Sequence, residues 1–255
     1  MVEVRPIEPS EAEDFLTILC RVFGLDFGRA KSVFFSEPLF DLRRKWALFE
    51  NRNMLSVMTT VPLEFGWGPA IGIAGVATVP SARRKGLASE LLREVLRCAR
   101  TSGETASYLF ARNESLYRKV GFEALDSVVS GPIRSQGNLP DVKPFEEVQA
   151  NYERWSQDHP NRLRRDETRW AYWNWTVRPC YRMGSAYFAL EGHRVREALL
   201  SSPQESWPVP AGTEWQGLET MTDALGVPLL NRNTDLLLMG CGSPGIPQMF
   251  MTDQF

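Results

Sequence analysis

Histidine is nearly absent from this sequence. Only His159 and His193 occur, too few imidazoles for a histidine-built metal centre or a Ser-His-Asp triad. Cysteine is sparse too. Cys20, Cys98, Cys180 and Cys241 stand far apart with no CxxC pair, which excludes the spacing of zinc sites and dithiol redox motifs. No apolar run nears the roughly 20 residues of a membrane-spanning helix. The opening MVEVRPIEPSEAEDF is acidic and mixed, without the basic head and apolar core of a secretion signal. Charge of one sign is not in excess: the formal net charge is −2, which gives no general pull toward nucleic acid. These absences lead to the expectation of a soluble cytoplasmic protein with reduced thiols, acting without metal, nucleic acid or membrane.

What is present is ordinary for a globular chain. Of 255 residues, 43% are hydrophobic and 24% charged, enough for one large domain or two small ones with a sizeable core. Residues 2–7 alternate like a short strand. Ser10 with Glu13 suggests a capping box, and Phe15, Ile18, Leu19, Val22 and Phe23 follow at helical spacing up to Gly24. A second helix is expected over 30–40, and strands over 46–49 and 54–65 around the turn Asn51-Arg52-Asn53. Residues 71–79 form a continuous apolar run, as in a strand buried on both faces. Leu87, Ala88, Leu91, Leu92, Val95, Leu96 and Ala99 then mark one face of an amphipathic helix. A strand over 105–111 and a short helix over 113–120 complete an α/β order around a central loop.

Beyond residue 132 the character changes. Gly137, Pro140 and Pro144 mark a linker, and QANYERWSQDHPNRLRRDETRWAYWNW (149–175) reads as two helices whose tryptophans are packing residues more than a ligand platform. A hairpin is expected over 187–200, a helix over 214–225, and strands over 235–239 and 248–251. The expected organisation is residues 1–136, a helical linker 137–184, and a small α+β unit 185–255.

The chemistry concentrates in VATVPSARRKGLASELLREVL (76–96). The string Arg83-Arg84-Lys85-Gly86-Leu87-Ala88 lies between a buried strand and an apolar-faced helix. A helix start offers unpaired N–H groups and the positive end of the dipole. Gly86 and Ala88 let a phosphate approach the backbone, and the bases add charge. A bare base triplet would be a solvated loop; with the strand, glycine and alanine it reads as a pyrophosphate cradle. No GxxxxGK[ST] string exists, and the loop lies mid-chain, not after the first strand, so neither a Walker loop nor a dinucleotide fingerprint fits. The string Gly240-Cys241-Gly242-Ser243-Pro244-Gly245 matches GxGxxG, but Pro247 forbids the helix that must follow.

The stretch GVATVPSARRKGLASELL, followed in order by ARNESLYRKVGF (111–122), resembles the two signatures of the GNAT superfamily of N-acetyltransferases, over about residues 4–125. That resemblance implies an α/β (α+β) mixed sheet of GNAT acyl-CoA N-acyltransferase type, with a second smaller α+β unit of degenerate GNAT-like character. It implies acetyl-CoA as co-substrate and a small-molecule or peptide amine as acceptor, and it allows a homo-oligomer. By the same resemblance the backbones of Val76, Ala77 and Thr78 line the pantetheine arm. Arg83, Arg84, Lys85, Gly86, Leu87, Ala88 and Ser89 hold the pyrophosphate, Asn113 touches the cofactor, and Tyr117 protonates the departing thiolate. Many relatives carry a glutamate before the loop as base, whereas 71–79 holds no carboxylate and Glu64 is the nearest. The linker and the end PQMFMTDQF are similar to the enhanced-intracellular-survival branch of mycobacterial acetyltransferases. There the terminal carboxylate is the base, which here would be that of Phe255. The sequence is shorter than those of that branch, and a third domain is not expected. Two rival readings stand beside this one: a non-catalytic acyl-CoA sensor, and transfer of aminoacyl groups from tRNA.

Overall fold

A computed structural model describes residues 2–176 and 178–255. The chain opens with strand β1 (Val2–Pro6) and helices α1 (Ala12–Phe23) and α2 (Phe27–Phe34). A capping box is formed by Glu8 and Glu11, not Ser10 and Glu13, and it opens a 3-10 turn (Pro9–Glu11) that leads into α1. Pro9, which has no N–H to satisfy, takes the first helical position and moves the cap one residue before it. At the other end Gly24 closes α1 with φ 68, its N–H on the Cys20 carbonyl. Helix α2 starts earlier than its periodicity predicts, because the Asp26 side chain accepts from the Arg29 N–H at 2.8 Å.

Strands β2 (Lys45–Glu50), β3 (Asn53–Phe65) and β4 (Gly68–Thr78) form an antiparallel meander. The β2–β3 turn places Asn51 at φ 50 and Arg52 at φ 67, the double left-handed turn that suits strand twist. Helix α3 (Leu87–Thr101) lies on one face of the meander. It buries Leu87, Leu91, Leu92, Val95, Leu96 and Ala99, each larger side chain contributing about 2 kcal/mol. Strand β5 (Ala106–Ala111), the single-turn helix α4 (Ser115–Arg118) and strand β6 (Glu123–Pro132) follow. Strand β6 has no counterpart in the sequence reading.

Beyond β6 come α5 (Phe145–Gln157), the two-residue β7 (Leu163–Arg164) on β3, and α6 (Glu167–Trp175). Trp170 and Trp173 are buried in the core, as expected of packing residues. Then β8 (Cys180–Met183), β9 (Ala186–Glu191), β10 (Arg194–Leu199), β11 (Glu214–Leu218), α7 (Glu219–Ala224) and β12 (Asn233–Cys241) complete the element order. The predicted helix over 214–225 is thus a strand followed by a short helix. Gly217 has no Cβ, and one built there would meet the Trp215 indole at 2.3 Å, so the indole lies over Gly217 on a strand paired with β6 and β10. Residues 248–251 are also not a strand: Gln248 makes one bridge to Arg162, and a 3-10 turn (Met251–Asp253) follows.

One sheet runs β1-β2-β3-β4-β5-β12-β6-β11-β10-β9-β8. Strand β12 lies between β5 and β6 and pairs antiparallel with both. No helix among the described residues is long and apolar enough to cross a membrane.

Candidate active site

The parallel pairing of β4 with β5 runs from Ala70↔Ala106 to Ile73↔Leu109 and then ends. Strand β4 continues to Thr78 with only β3 beside it. A cleft therefore opens on the β5 side of residues 74–78. Burial changes at the same place: Ala70, Ile71 and Ile73 are enclosed on both faces, whereas Ala74, Gly75 and Val76 are half exposed. The β3–β4 register shifts here too, with Gly75 and Val76 set against Met58 alone. This is a β-bulge. Gly75 adopts φ +61, and the bulge frees peptide groups from the ladder and aims them elsewhere. Ser56 Oγ holds the other side by donating to the Ala77 carbonyl at 3.0 Å.

Below the cleft, a cavity of about 590 Å3 is lined by Thr78, Arg83, Arg84, Gly86, Leu87, Ala88 and Ser89. The opposite wall brings Arg93, Ser115, Leu116 and Lys119. Gly86 sits at φ +84 and Arg84 at φ +63, so the loop coils tightly before α3 and no side chain caps the helix. The first N–H groups of α3 thus remain free to receive an anion. The lining holds four cations and no carboxylate. Arg93 and Lys119 were not anticipated; Arg93 is two turns into α3, beyond the motif, and Lys119 follows a helix that only the fold brings near. Lys85, Val76, Ala77 and Asn113 are not part of this lining. Ala77 is turned into the layer beneath α1. Asn113 Oδ1 accepts from the Ser115 N–H at 2.9 Å, so this side chain braces the turn into α4, whose N-cap is Glu114.

Tyr117 packs in the layer under α3, its ring 6.2 Å from that of Phe122. Burial raises its pKa above the ordinary phenol value. Its hydroxyl has no hydrogen-bond partner among the described residues, so nothing in the fold competes for its proton.

Phe255 approaches from the other face. Its ring lies against Gly72, where a Cβ would come within 2.6 Å, and 5.6 Å from the Phe110 ring. It lines a second cavity of about 220 Å3 with Ala74, Gly75, Glu37, Lys45, Arg169 and Tyr172. Lys45 is enclosed by the Phe34 and Phe40 rings, and Glu37 lies 3.4 Å from its ammonium. Burial pulls the Lys45 pKa down, against the attraction of Glu37. Glu64, the nearest carboxylate in sequence, lines a different cavity beside Arg164 and Asp166. Among the described residues, no cluster of His, Cys, Asp or Glu could hold a metal ion.

A buried ionic cluster lies behind the chain end. Arg165 donates to Asp253 at 2.7 and 3.0 Å and to Glu197 at 2.7 and 3.2 Å. The guanidinium stacks over Tyr152 at 3.7 Å and Trp170 at 4.7 Å. Glu197 also accepts from Tyr187 at 2.5 Å, Trp173 at 3.0 Å, and Thr252. Burial opposes its ionisation, but Arg165 and these hydroxyls outweigh that and hold its pKa below the usual value. Sequence reasoning missed this cluster. Its members are spread over 152–253, and the only local sign was an arginine-rich string in which nothing singles out Arg165.

Residues 3–125 match a family model described as an acetyltransferase (GNAT) domain. This segment is a GNAT acetyltransferase domain. Solved structures agree in fold. A GCN5-related N-acetyltransferase from Kribbella flavida superposes with a TM-score of 0.71 at 16% identity, over 94% of this chain and 71% of that one. A Pyrococcus horikoshii protein described as an acetyltransferase gives 0.69 at 14% identity, over 97% and 91%. Eis1 from Mycobacterium abscessus gives 0.62 at 15%, over 93% and 73%. A comparison with curated proteins gave no match. The GNAT domain in residues 3–125 supports an acetyl-CoA-dependent acyltransferase, and the cationic cavity at the α3 start fits a polyanionic co-substrate.

Proposed function

We propose that the protein transfers the acetyl group of acetyl-CoA to a primary amine of a small molecule or peptide. The observation that carries this reading is the opening of β4 from β5 between two separate cavities, one cationic and one containing Phe255. The amine nitrogen bonds to the acetyl carbon, and the carbon–sulfur bond breaks. Arg83, Arg84, Arg93 and Lys119, with Gly86 to Ser89 at the start of α3, bind the phosphates. The backbones of Val76, Ala77 and Thr78 align the pantetheine arm, Lys85 adds charge at the loop rim, and Asn113 fixes the entry to α4. N–H groups at the β4 bulge donate to the carbonyl oxygen as charge develops on it.

Tyr117 gives its proton to the departing sulfur. Its raised pKa keeps it protonated and ready. The α-carboxylate of Phe255, directly or through water, takes the proton from the amine.

The test is acetyl-CoA turnover against a panel of primary amines, with product masses measured. The expected result is an acetylated amine and stoichiometric CoA. Binding of CoA without turnover of any amine would support a sensor instead.

A further inference from the structure

The last residues run from a buried anchor to an open cavity. Asp253 is 1% exposed and held by Arg165. Gln254 accepts from Arg196 at 2.7 Å. Phe255 then lies at the cavity, its ring on Gly72. We propose that Arg165 is a positioning residue: through Asp253 it fixes the Phe255 carboxylate beside the β4 bulge, while Glu197 fixes Arg165. This rests on the reading of Phe255 as the base.

A buried ion cluster is not a strong source of stability, since well-packed apolar side chains often do as well. What a guanidinium adds is direction. Its planar fork holds two carboxylates at set angles. Here one carboxylate belongs to rigid strand β10 and the other to the chain end. A chain end without such a hold would sample many positions, and a misplacement of about 1 Å can cost about a hundredfold in rate. Glu197, Tyr187, Trp173 and Arg165 all come from the second half of the chain, so that half acts as a mount for the base.

Asp253→Asn tests this, because it keeps size and one acceptor oxygen but removes the charge. The expected result is a kcat lower by about tenfold or more, with KM for acetyl-CoA unchanged and the best amine of the panel as acceptor. Carboxypeptidase Y should release Phe255 about tenfold faster than from the wild type. In a chain lacking Phe255, Asp253→Asn should cost nothing further, because both changes act through one group. A folded Asp253→Asn protein with wild-type kcat and slow release overturns the proposal, as do losses that multiply in the double variant. Full kcat after Phe255 deletion would overturn the base reading instead, and the release assay would still decide positioning. If Asp253→Asn does not fold, Arg165→Lys serves, because it keeps the cation but loses the fork that holds both carboxylates. It should lose about threefold in kcat with the same non-additivity, and unchanged kcat and release would overturn the proposal.

Discussion

Tyr117 packs in the layer under α3 and Phe255 against the opposite face of the sheet, so each can be altered without moving the other. Tyr117→Phe removes only a hydroxyl with no partner in the fold. It should lower kcat by about a hundredfold and leave KM for acetyl-CoA and thermal stability unchanged. Because burial raises the Tyr117 pKa above the ordinary phenol value, the proposed donor stays protonated at every lower pH. Any alkaline loss of wild-type turnover below the ordinary phenol value belongs to another group, and the Phe variant should show the same limb. Gly72→Ala acts on the partner face. Its Cβ meets the Phe255 ring at 2.6 Å, so the ring must leave; kcat should fall about tenfold while CoA affinity by calorimetry is kept. Arg165→Met leaves Glu197 buried without its cation and Asp253 with only Arg169 at 3.8 Å, and should destabilise the fold by about 3–5 kcal/mol in urea titration at pH 7. The folded pKa of Glu197 is depressed, so its stabilisation is complete above the ordinary carboxylate value and is lost as pH falls below about 4. A series of melting temperatures should drop on that acid side. The part of Gly72 in seating Phe255 was invisible in the sequence, since only the fold shows whose ring takes the space of its missing side chain.

At the scale of elements, β4, its loop and α3 were legible, because there local signals agree. The apolar run, Gly86 and the leucine face each specify one structure, and nothing distant contradicts them. Strand β11 was not legible. Trp215, Leu218, Met221, Thr222 and Leu225 fall at helical spacing, and only β6 and β10 on either side make the first residues extended. The start of α3 carries its own prediction. No atom lies within 4 Å of a Cβ at Gly86, so Gly86→Ala tests backbone conformation alone. The left-handed φ of +84 should cost about 1–2 kcal/mol on unfolding, and CoA should bind more weakly. Arg93→Ala and Lys119→Ala should each weaken CoA about tenfold and reduce the dependence of binding on salt, measured by titration calorimetry.

At the scale of the whole molecule, the family domain does not close its own sheet. Strands β5 and β6 are not paired with each other; β12 fills the space between them. A chain cut after residue 136 would present two inward edges with unpaired N–H and C=O groups. It should be insoluble or elute as aggregates in gel filtration, despite containing the whole of residues 3–125. The order of the first elements could be read from the sequence, but this insertion could not, since β12 carries no sign of which edges it will join.

The place of β12 also sets the timing of synthesis. At about 5–20 residues per second, the ribosome delivers β6 several seconds before β12. During that interval the nascent acetyltransferase domain has its cationic loop and a gap in its sheet, with two strand edges open to other chains. Until β12 arrives those edges can pair with other chains, and its insertion between β5 and β6 is a long-range contact that synthesis leaves to the end.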